Sequence, residues 1–405
     1  MKFSQPKEDQ RAEILQRQQR LKMARSAQDY VRGSTVSFYN WLQTAKGKVP
    51  EGPPIWICGD CHLGNLGPVS DSDGKVEIEI RDFDQTVIGN PAHDLVRLAL
   101  SLSMAARGSD LPGVTTALML EQLIAGYSDA LKPGRGKLPI PTKSGNPIHL
   151  VLKEALSREW RHLARERIED VRPTIPLGRK FWALSEKERN EIGKLFESKE
   201  AKSLVTCLRS GAKKHNVEVL DAAYWMKGCS SLGKLRYAVL LGVGKTYCLI
   251  DIKEAIEAAA PGKKMPRVPK DYAERLVDGA RALSPYLGER MVAAKFAGRS
   301  VVIRELRPQD LKFELDQITQ EEAVEAARFM AGVVGRAHAR QMDPATRKAW
   351  REKLVRQHGK ALDAPTWLWT SVVELVAAHE AAYLDHCRRY ALSLGRPMPK
   401  SMIWA

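Results

Sequence analysis

The hydrophobic pattern of this chain changes period at about residue 220, and that change constrains its architecture more than any other feature. Before it, residues 8–45, 94–130 and most of 150–215 place apolar side chains at helical spacing. From about 220, YWMKG, LRYAVLLGVG and TYCLIDIKEA read as three short strands of a meander, separated by GCSSLGK and by Gly242 to Lys245. A helix, DYAERLVDGARALSPYL, and another strand, RSVVIRELRP, follow. EEAVEAARFMAGVVGRAHARQ and the stretch from Thr366 to Leu394 are helical again. This order predicts an α+β chain in which a small antiparallel sheet lobe is inserted between segments of a larger helical lobe. The boundaries fall at 1–218 for the first helical part, 219–315 for the sheet lobe and 316–405 for the closing helices.

Composition excludes several classes. With 405 residues, 44% of them hydrophobic and 28% charged, the chain can build two or three cores without metal or disulfide staples, and a disordered or collagen-like chain is ruled out. The first twenty residues are charged and lack an apolar h-region, and the apolar runs stop well short of roughly 18 residues, so neither export nor a membrane span is expected. Cysteines at 58, 61, 207, 229, 248 and 387 form no regular framework and suit a reducing, cytoplasmic setting. The formal charge is +16, and residues 131–215 hold 20 Lys plus Arg against 10 Asp plus Glu. That surplus would admit an anionic partner, which leaves a basic nucleic-acid-binding protein as an alternative class. Against it, both signs intersperse on helix faces, as in REWRHLARERIED, and no nucleic-acid module is recognisable.

The chemistry concentrates in GDCHLGN, Gly59 to Asn65, and in RDFDQTVIGNPAHDL, Arg81 to Leu95. IWICGD reads as a strand running into a loop at Asp60, and VEIEIRDFD as a strand ending in acids. Phosphoryl transfer needs a carboxylate near the attacking hydroxyl, together with an amide and a second carboxylate that hold magnesium against phosphates. Asp60, Asn65 and Asp82 supply those groups, and Asp84, two residues on, points to the same side as Asp82. Singly, each acid at a strand end reads as a turn cap. His62 reads as a loop-holding residue and His93 as packing. The CxxC of Cys58 and Cys61 has no second Cys/His pair that would make a zinc site.

Nucleotide-gripping groups are absent before Asp60 but present at 220–315. Gly228 to Gly233, with Ser230 and Ser231 between them, forms a glycine turn between strands, and Lys253 ends the third strand. Glu274 and Asp278, four residues apart on one helix face, are candidate partners for Lys253. As isolated features, the turn is an ordinary hairpin and the lysine a surface residue.

GDxHxxN, the D-F-x-D strand end and PxxDL are similar to the catalytic and metal loops of the aminoglycoside phosphotransferase and choline kinase branch of the protein-kinase-like superfamily. The resemblance implies that Asp60 is the catalytic base, that Asn65 and Asp82 are magnesium ligands with Asp84 a further one, and that Asp94 braces the catalytic loop from within. It also implies a bilobal kinase-like fold that is circularly permuted, because the catalytic loops precede the lysine strand and FMAGVVGRAHAR resembles the helix that normally precedes them. Across nearly the whole chain, YVRGS, GDCHLGN, RDFDQ, DLVRLALS, GCSSLGKLRYAVLL, IDIKEA, ERLVDGAR, VIRELRP and GRAHAR resemble the bacterial family called domain of unknown function 2252. The family pattern differs at Gln85, Ser230 and Asp251, where it has Glu, Gly and Gln. The implied cofactors are ATP and Mg2+, and the acceptor, a small molecule or a protein, is left open. A nucleotide-binding pseudokinase and an AMP-transferring enzyme remain alternatives.

Overall fold

The computed structural model describes residues 5–45, 47–134, 146–158, 174–207, 217–228, 232–244, 246–262, 268–311, 319–355, 358–359 and 362–390. Most of the expected loop at 131–147, and the part of the expected helical stretch at 159–173 and 208–216, lie outside them. The structure is mixed α and β, with a six-stranded antiparallel sheet and small two-stranded ribbons.

The chain opens with α1 (Arg11–Met23), α2 (Ala27–Gly33) and α3 (Thr35–Thr44). Serines divide the helical stretch expected at 8–45. Ser26 caps α2 by accepting from the Asp29 N–H, and Ser34 separates α2 from α3. Next, β1 (Ile55–Ile57) pairs antiparallel with β4 (Val87–Gly89), and the ribbon of β2 (Leu66–Ser70) with β3 (Val76–Ile80) lies between them in sequence. Strand β2 was not legible, because Gly67 and Pro68 suppress its strand signal; a two-stranded ribbon tolerates them.

Asn90 then starts α4 (Pro91–Gly108), its side chain accepting from the Ala92 N–H, with Pro91 preset at the first helical position. The helical layer continues with α5 (Gly113–Ala130) and α6 (Pro147–Ser157), and is completed after the sheet by α11 (Gln320–Ala339), α12 (Pro344–Val355) and α13 (Thr366–Tyr390).

The sheet is built from β5 (Phe181–Trp182), β6 (Val217–Trp225), β7 (Arg236–Val243), β8 (Thr246–Glu254), β9 (Met291–Phe296) and β10 (Arg299–Leu306), in the order β5-β6-β7-β8-β10-β9. α7 (Glu186–Glu197) and α8 (Lys199–Cys207) precede β6, and α9 (Tyr272–Leu283) and α10 (Pro285–Gly288) connect β8 to β9. β9 escaped the sequence reading because its centre, VAAK, carries weak strand preference. Period-two alternation sorts the side chains. Val239, Leu241, Ile250, Ile252, Val301 and Ile303 share one core with Trp182, Ile192, Phe196 and Leu15. The opposite face carries Ala238, Leu240, Leu249 and Leu306 beside Phe181 and Trp225. Arg236, Asp251, Lys253 and Arg304 have the same parity as this second set, in register across β7, β8 and β10.

This packing differs from the boundary drawn at 218/219. α7, α8, β5 and part of α1 pack with the sheet, tied by the buried pair of Arg11 and Glu188 at 2.6 Å, whose carboxylate also accepts from Tyr237 Oη at 2.9 Å. Helical periodicity identifies a helix but not the layer that it covers, so the first part could not be divided from spacing alone. In the other direction, Leu276, Val277, Ala280 and Leu283 of α9 join the large core around Ile57, Val87 and Leu95.

Within the helical layer, α5 and α11 approach closely through glycine. A Cβ at Gly126 would lie 2.0 Å from the Arg328 carbonyl oxygen. Gly126→Val should therefore destabilise by about 1–3 kcal/mol through overpacking, read as a lowered thermal midpoint. Gly193→Ala in α7, where a Cβ meets nothing within 4 Å, should leave the midpoint unchanged or raise it slightly.

Candidate functional site

The loop from Cys58 to Asn65 and the loop from Arg81 to Thr86 lie side by side because their flanking strands, β1 and β4, are hydrogen-bonded. Gly59 permits the approach: its φ is +75°, and a Cβ there would lie 2.1 Å from the Gln85 carbonyl oxygen. Thr86 Oγ1 donates to the Ile57 carbonyl at 2.7 Å. Arg275, buried on α9, donates to the carbonyls of Thr86, Asp84 and Ile256 and so holds the second loop from the far side. Gln85 turns its Oε1 to the Ala259 N–H at 2.7 Å and fastens residue 259 to the loop.

Asp94 is wholly buried at the start of α4. Its carboxylate accepts from the N–H groups of Cys58 at 2.8 Å and Gly59 at 2.9 Å, and meets His338 Nε2 at 3.1 Å. His338 Nδ1 lies 2.9 Å from Tyr127 Oη, which accepts from Trp350 Nε1 at 3.1 Å. Trp350 can only donate, so the Tyr127 oxygen accepts from it, and the His338 ring bridges that hydroxyl and the Asp94 carboxylate. A buried chain of polar groups thus runs from α12 through α5 and α11 to the loop.

Asp60 is 6% exposed, and its Oδ1 accepts from Arg97 Nε at 2.8 Å. Arg97, fully buried, also donates to the Val31 carbonyl. His62 Nε2 lies 3.9 Å from Asp60 Oδ2. Burial pushes the His62 pKa down to about 4 against the opposing pull of Asp60, so the imidazole is neutral at neutral pH. Asn65 donates from Nδ2 to the Asp60 carbonyl at 2.8 Å, which leaves its Oδ1 as the acceptor available to a ligand.

Lys253, on β8, brings the sheet to these loops. Its Nζ is 3.2 Å from Asp82 Oδ1 and 2.6 Å from Asp84 Oδ1. Burial disfavours the ammonium, but the two carboxylates outweigh it and raise the Lys253 pKa. Asp82 also loses hydration, yet Lys253 and then Arg236 hold its carboxyl well below the usual range. Behind them, Asp251 is locked to Arg236 at 2.8 Å and lies 3.4 Å from Arg304, which keeps it ionised despite burial.

Asn65, Asp82, Asp84, Lys253 and Gly228 line one cleft of about 320 Å3, with Arg32, His62, Arg81, Arg158, Lys227, Arg236, Asp251, Arg304 and Asp310 also on its walls. Asp60 sits behind that wall, joined to it through Asn65. Ser230 and Ser231 lie outside the described residues. Gly233 has a φ of +94° with open space around its Cα and is not part of the cleft. The expected pairing of Lys253 with Glu274 or Asp278 is corrected: its ion pairs among the described residues are with Asp82 and Asp84. The two acids do share a stripe of α9, but it is the outward one, because Ala273, Leu276, Val277 and Ala280 face the core; Glu274 is exposed, and Asp278 lies 3.9 Å from Arg281.

Among the described residues, no group of three or more His, Cys, Asp or Glu side chains could hold a metal ion. Two carboxylates and one amide oxygen do fit magnesium, which commonly takes one or two carboxylates and completes its shell with water and phosphate. Cys58 and Cys61 are free thiols buried in the loop, and the Cys58 thiol, hydrogen-bonded to Cys61 and shut from water, is held well above its usual pKa. His93 packs edge-on to Tyr39. The sequence reading missed Arg236 and Asp251 as cleft residues; their period-two spacing with Ala238 and Lys253 was the available signal.

The site is therefore a cation-rich cleft between sheet and loops, with carboxylates gathered around one ammonium. Residues 11–389 match the family described as "Uncharacterized protein conserved in bacteria (DUF2252)", and the chain belongs to that family. No curated protein and no solved structure matches it. No helix among the described residues is long and apolar enough to cross a membrane.

The buried histidine predicts a pH dependence. The unfolded chain protonates His62 near 6.5 and the folded chain near 4, so the unfolded state binds more protons between these values and stability falls as pH drops through that window. His379, likewise pushed to about 4 by burial, acts in the same direction. Urea unfolding of His62→Gln should show a shallower loss of stability from pH 6.5 to 4 than the wild type.

Proposed function

We propose that this chain is an ATP- and Mg2+-dependent phosphotransferase with a circularly permuted, bilobal kinase-like fold, working in the cytoplasm on an acceptor hydroxyl or amine. One observation carries the reading: the Lys253 ammonium, on a sheet strand, meets the carboxylate of Asp82, 171 positions earlier, in a cleft that Asn65 also lines. A strand lysine for phosphates and a loop amide with a carboxylate for the metal are the parts that phosphoryl transfer requires.

In this reading Lys253 leaves Asp82 and Asp84 to grip nucleotide phosphates, with Lys227 and the Gly228 turn beside it. Asp82 and Asn65, with Asp84 as a further ligand, would hold magnesium, which when bound neutralises phosphate charge. Asp60 is the base and orients the acceptor through Oδ2, while Arg97 fixes its other oxygen. The buried chain from Trp350 to Asp94 keeps the loop in place for that role. The hydrogen bonds to Asp94 and the loop approach at Gly59 support a loop whose geometry is held in advance of any ligand.

A second reading, a nucleotide-binding pseudokinase, is favoured by one feature: the Asp60 carboxylate is tied to Arg97 and nearly closed to solvent. Incubation with γ-labelled and α-labelled ATP, Mg2+ and cell extract decides between them. The γ label should move to an acceptor, and Asp60→Ala and Lys253→Met should each lower the rate by on the order of 10²–10³-fold. Asp82→Ala should lose Mg2+-dependent nucleotide binding. Movement of the α label would instead mean AMP transfer, and nucleotide binding with no label moved would mean the pseudokinase. Binding to nucleic acid that collapses with salt, without any response to Asp82→Ala, would overturn the site altogether.

A further inference from the structure

We infer, on the phosphotransferase reading above, that the acceptor carries an anionic group, a phosphate or a carboxylate, and that Arg32 recognises it, with Arg158 a second cation on the same cleft. The buried arginines around the site show what structural guanidinium groups do in this fold. Arg97 holds a carboxylate and the Val31 carbonyl, Arg275 holds three carbonyls, and Arg81 holds the carbonyls of Leu311 and Asp310. Arg32 does none of this. Among the described residues it forms no hydrogen bond, its Nε is shut from solvent without a partner, and its ion pair with Asp29 is stretched to 3.5 Å.

Yet its position is fixed. A Cβ on Gly64 would lie 3.2, 3.3 and 3.3 Å from Nη2, Cζ and Nε of Arg32, so the guanidinium packs face-on over the loop backbone between His62 and Asn65, on the cleft wall. A side chain at 64 would press on the guanidinium and push it a few tenths of an ångström off the loop. The loop offers no counter-charge to Arg32: His62 is neutral at neutral pH, and Asp60 is already matched by Arg97. Arg158, at the end of α6 and paired through Nη1 with Glu154 at 3.3 Å, adds a second guanidinium to the same cleft from the helical side. From the sheet side the cleft is lined by Lys253, Arg236 and Arg304, with Lys227 just beyond β6, and on this reading Lys253 and Lys227 serve the nucleotide. Arg32 and Arg158 are therefore surplus to nucleotide binding. A planar fork with uncommitted donors suits an oxyanion bound by paired N–H groups.

The test uses the full chain and four probes on one carbon skeleton: glycerol, 3-aminopropane-1,2-diol, glycerate and glycerol 3-phosphate. Calorimetry measures their binding with and without Mg2+ and a non-hydrolysable ATP analogue, in the wild type and in Arg32→Gln, Arg32→Lys, Arg158→Gln and Lys253→Met. Glycerate and glycerol 3-phosphate should bind about tenfold more tightly than the neutral and cationic probes. Which anion binds better separates carboxylate from phosphate. Arg32→Gln should abolish that preference, Arg32→Lys should keep part of it, and Lys253→Met should keep it whole. Equal affinity for all four probes overturns the inference. So does a preference lost in Lys253→Met but kept in Arg32→Gln, which would put the anion on the sheet's cations. An Arg32-dependent preference in a chain that binds no nucleotide analogue keeps the anion site and removes the phosphotransferase reading, so the two failures are distinguishable.

Discussion

Asp94 is a charge placed where water cannot reach it, and three hydrogen bonds make that tenable: two from the backbone of the Cys58–Gly59 turn and one from His338. The Gly59 N–H is the one partner of Oδ1, whereas Oδ2 is shared by the Cys58 N–H and His338, so losing the Gly59 bond would leave a buried acceptor unpaired, a cost that falls directly on the loop. The order of the loop is thus tied to elements at the other end of the chain. His338 is on α11 and is itself steadied by Tyr127 of α5, which Trp350 of α12 holds in turn. Late helices and an early loop become one unit through a single carboxylate, and Gly126, by letting α5 and α11 touch, keeps the middle of that unit compact.

Much of this was readable from residue types and spacing. The switch of hydrophobic period located the sheet, and β7, β8 and β10 fall within the strands read at LRYAVLLGVG, TYCLIDIKEA and RSVVIRELRP. Asn65, Asp82, Asp84 and Lys253 were named from motif spacing and meet at one cleft. What stayed hidden depends on the third dimension. Spacing put Glu274 and Asp278 on one face of α9 but could not say that this face looks outward. The packing of α7 and α8 on the sheet depends on which layer claims an amphipathic helix, and periodicity is silent about that. The two-residue β5 and the alanine-rich β9 were too short or too weak in strand preference to stand out.

The charged groups beneath the cleft are the largest addition. Arg236, Asp251 and Arg304 look in sequence like isolated charges in apolar strands, whereas in space they form a buried cluster across three neighbouring strands. Arg97 is similar: one arginine in the apolar α4 turns out to be the counter-ion of Asp60. In each case a polar residue inside an apolar run marked a buried pair, since an unpaired charge could not be kept there. By that rule Arg97 and Arg304 read as salt-bridged structural arginines from the sequence, and it would have found Arg236 and Asp251 as well.

Lys253 gives the cleft a cation of its own. Its ammonium sits between Asp82 and Asp84 and balances them, so a divalent ion arriving alone would have to evict a tethered cation and leave it without a counter-charge. An ion that arrives with a polyanion faces no such obstacle, because the displaced ammonium finds new negative charge in the same step. On the proposed reading, such a cleft would work as an ion exchanger that discriminates against bare metal and admits a pre-formed salt.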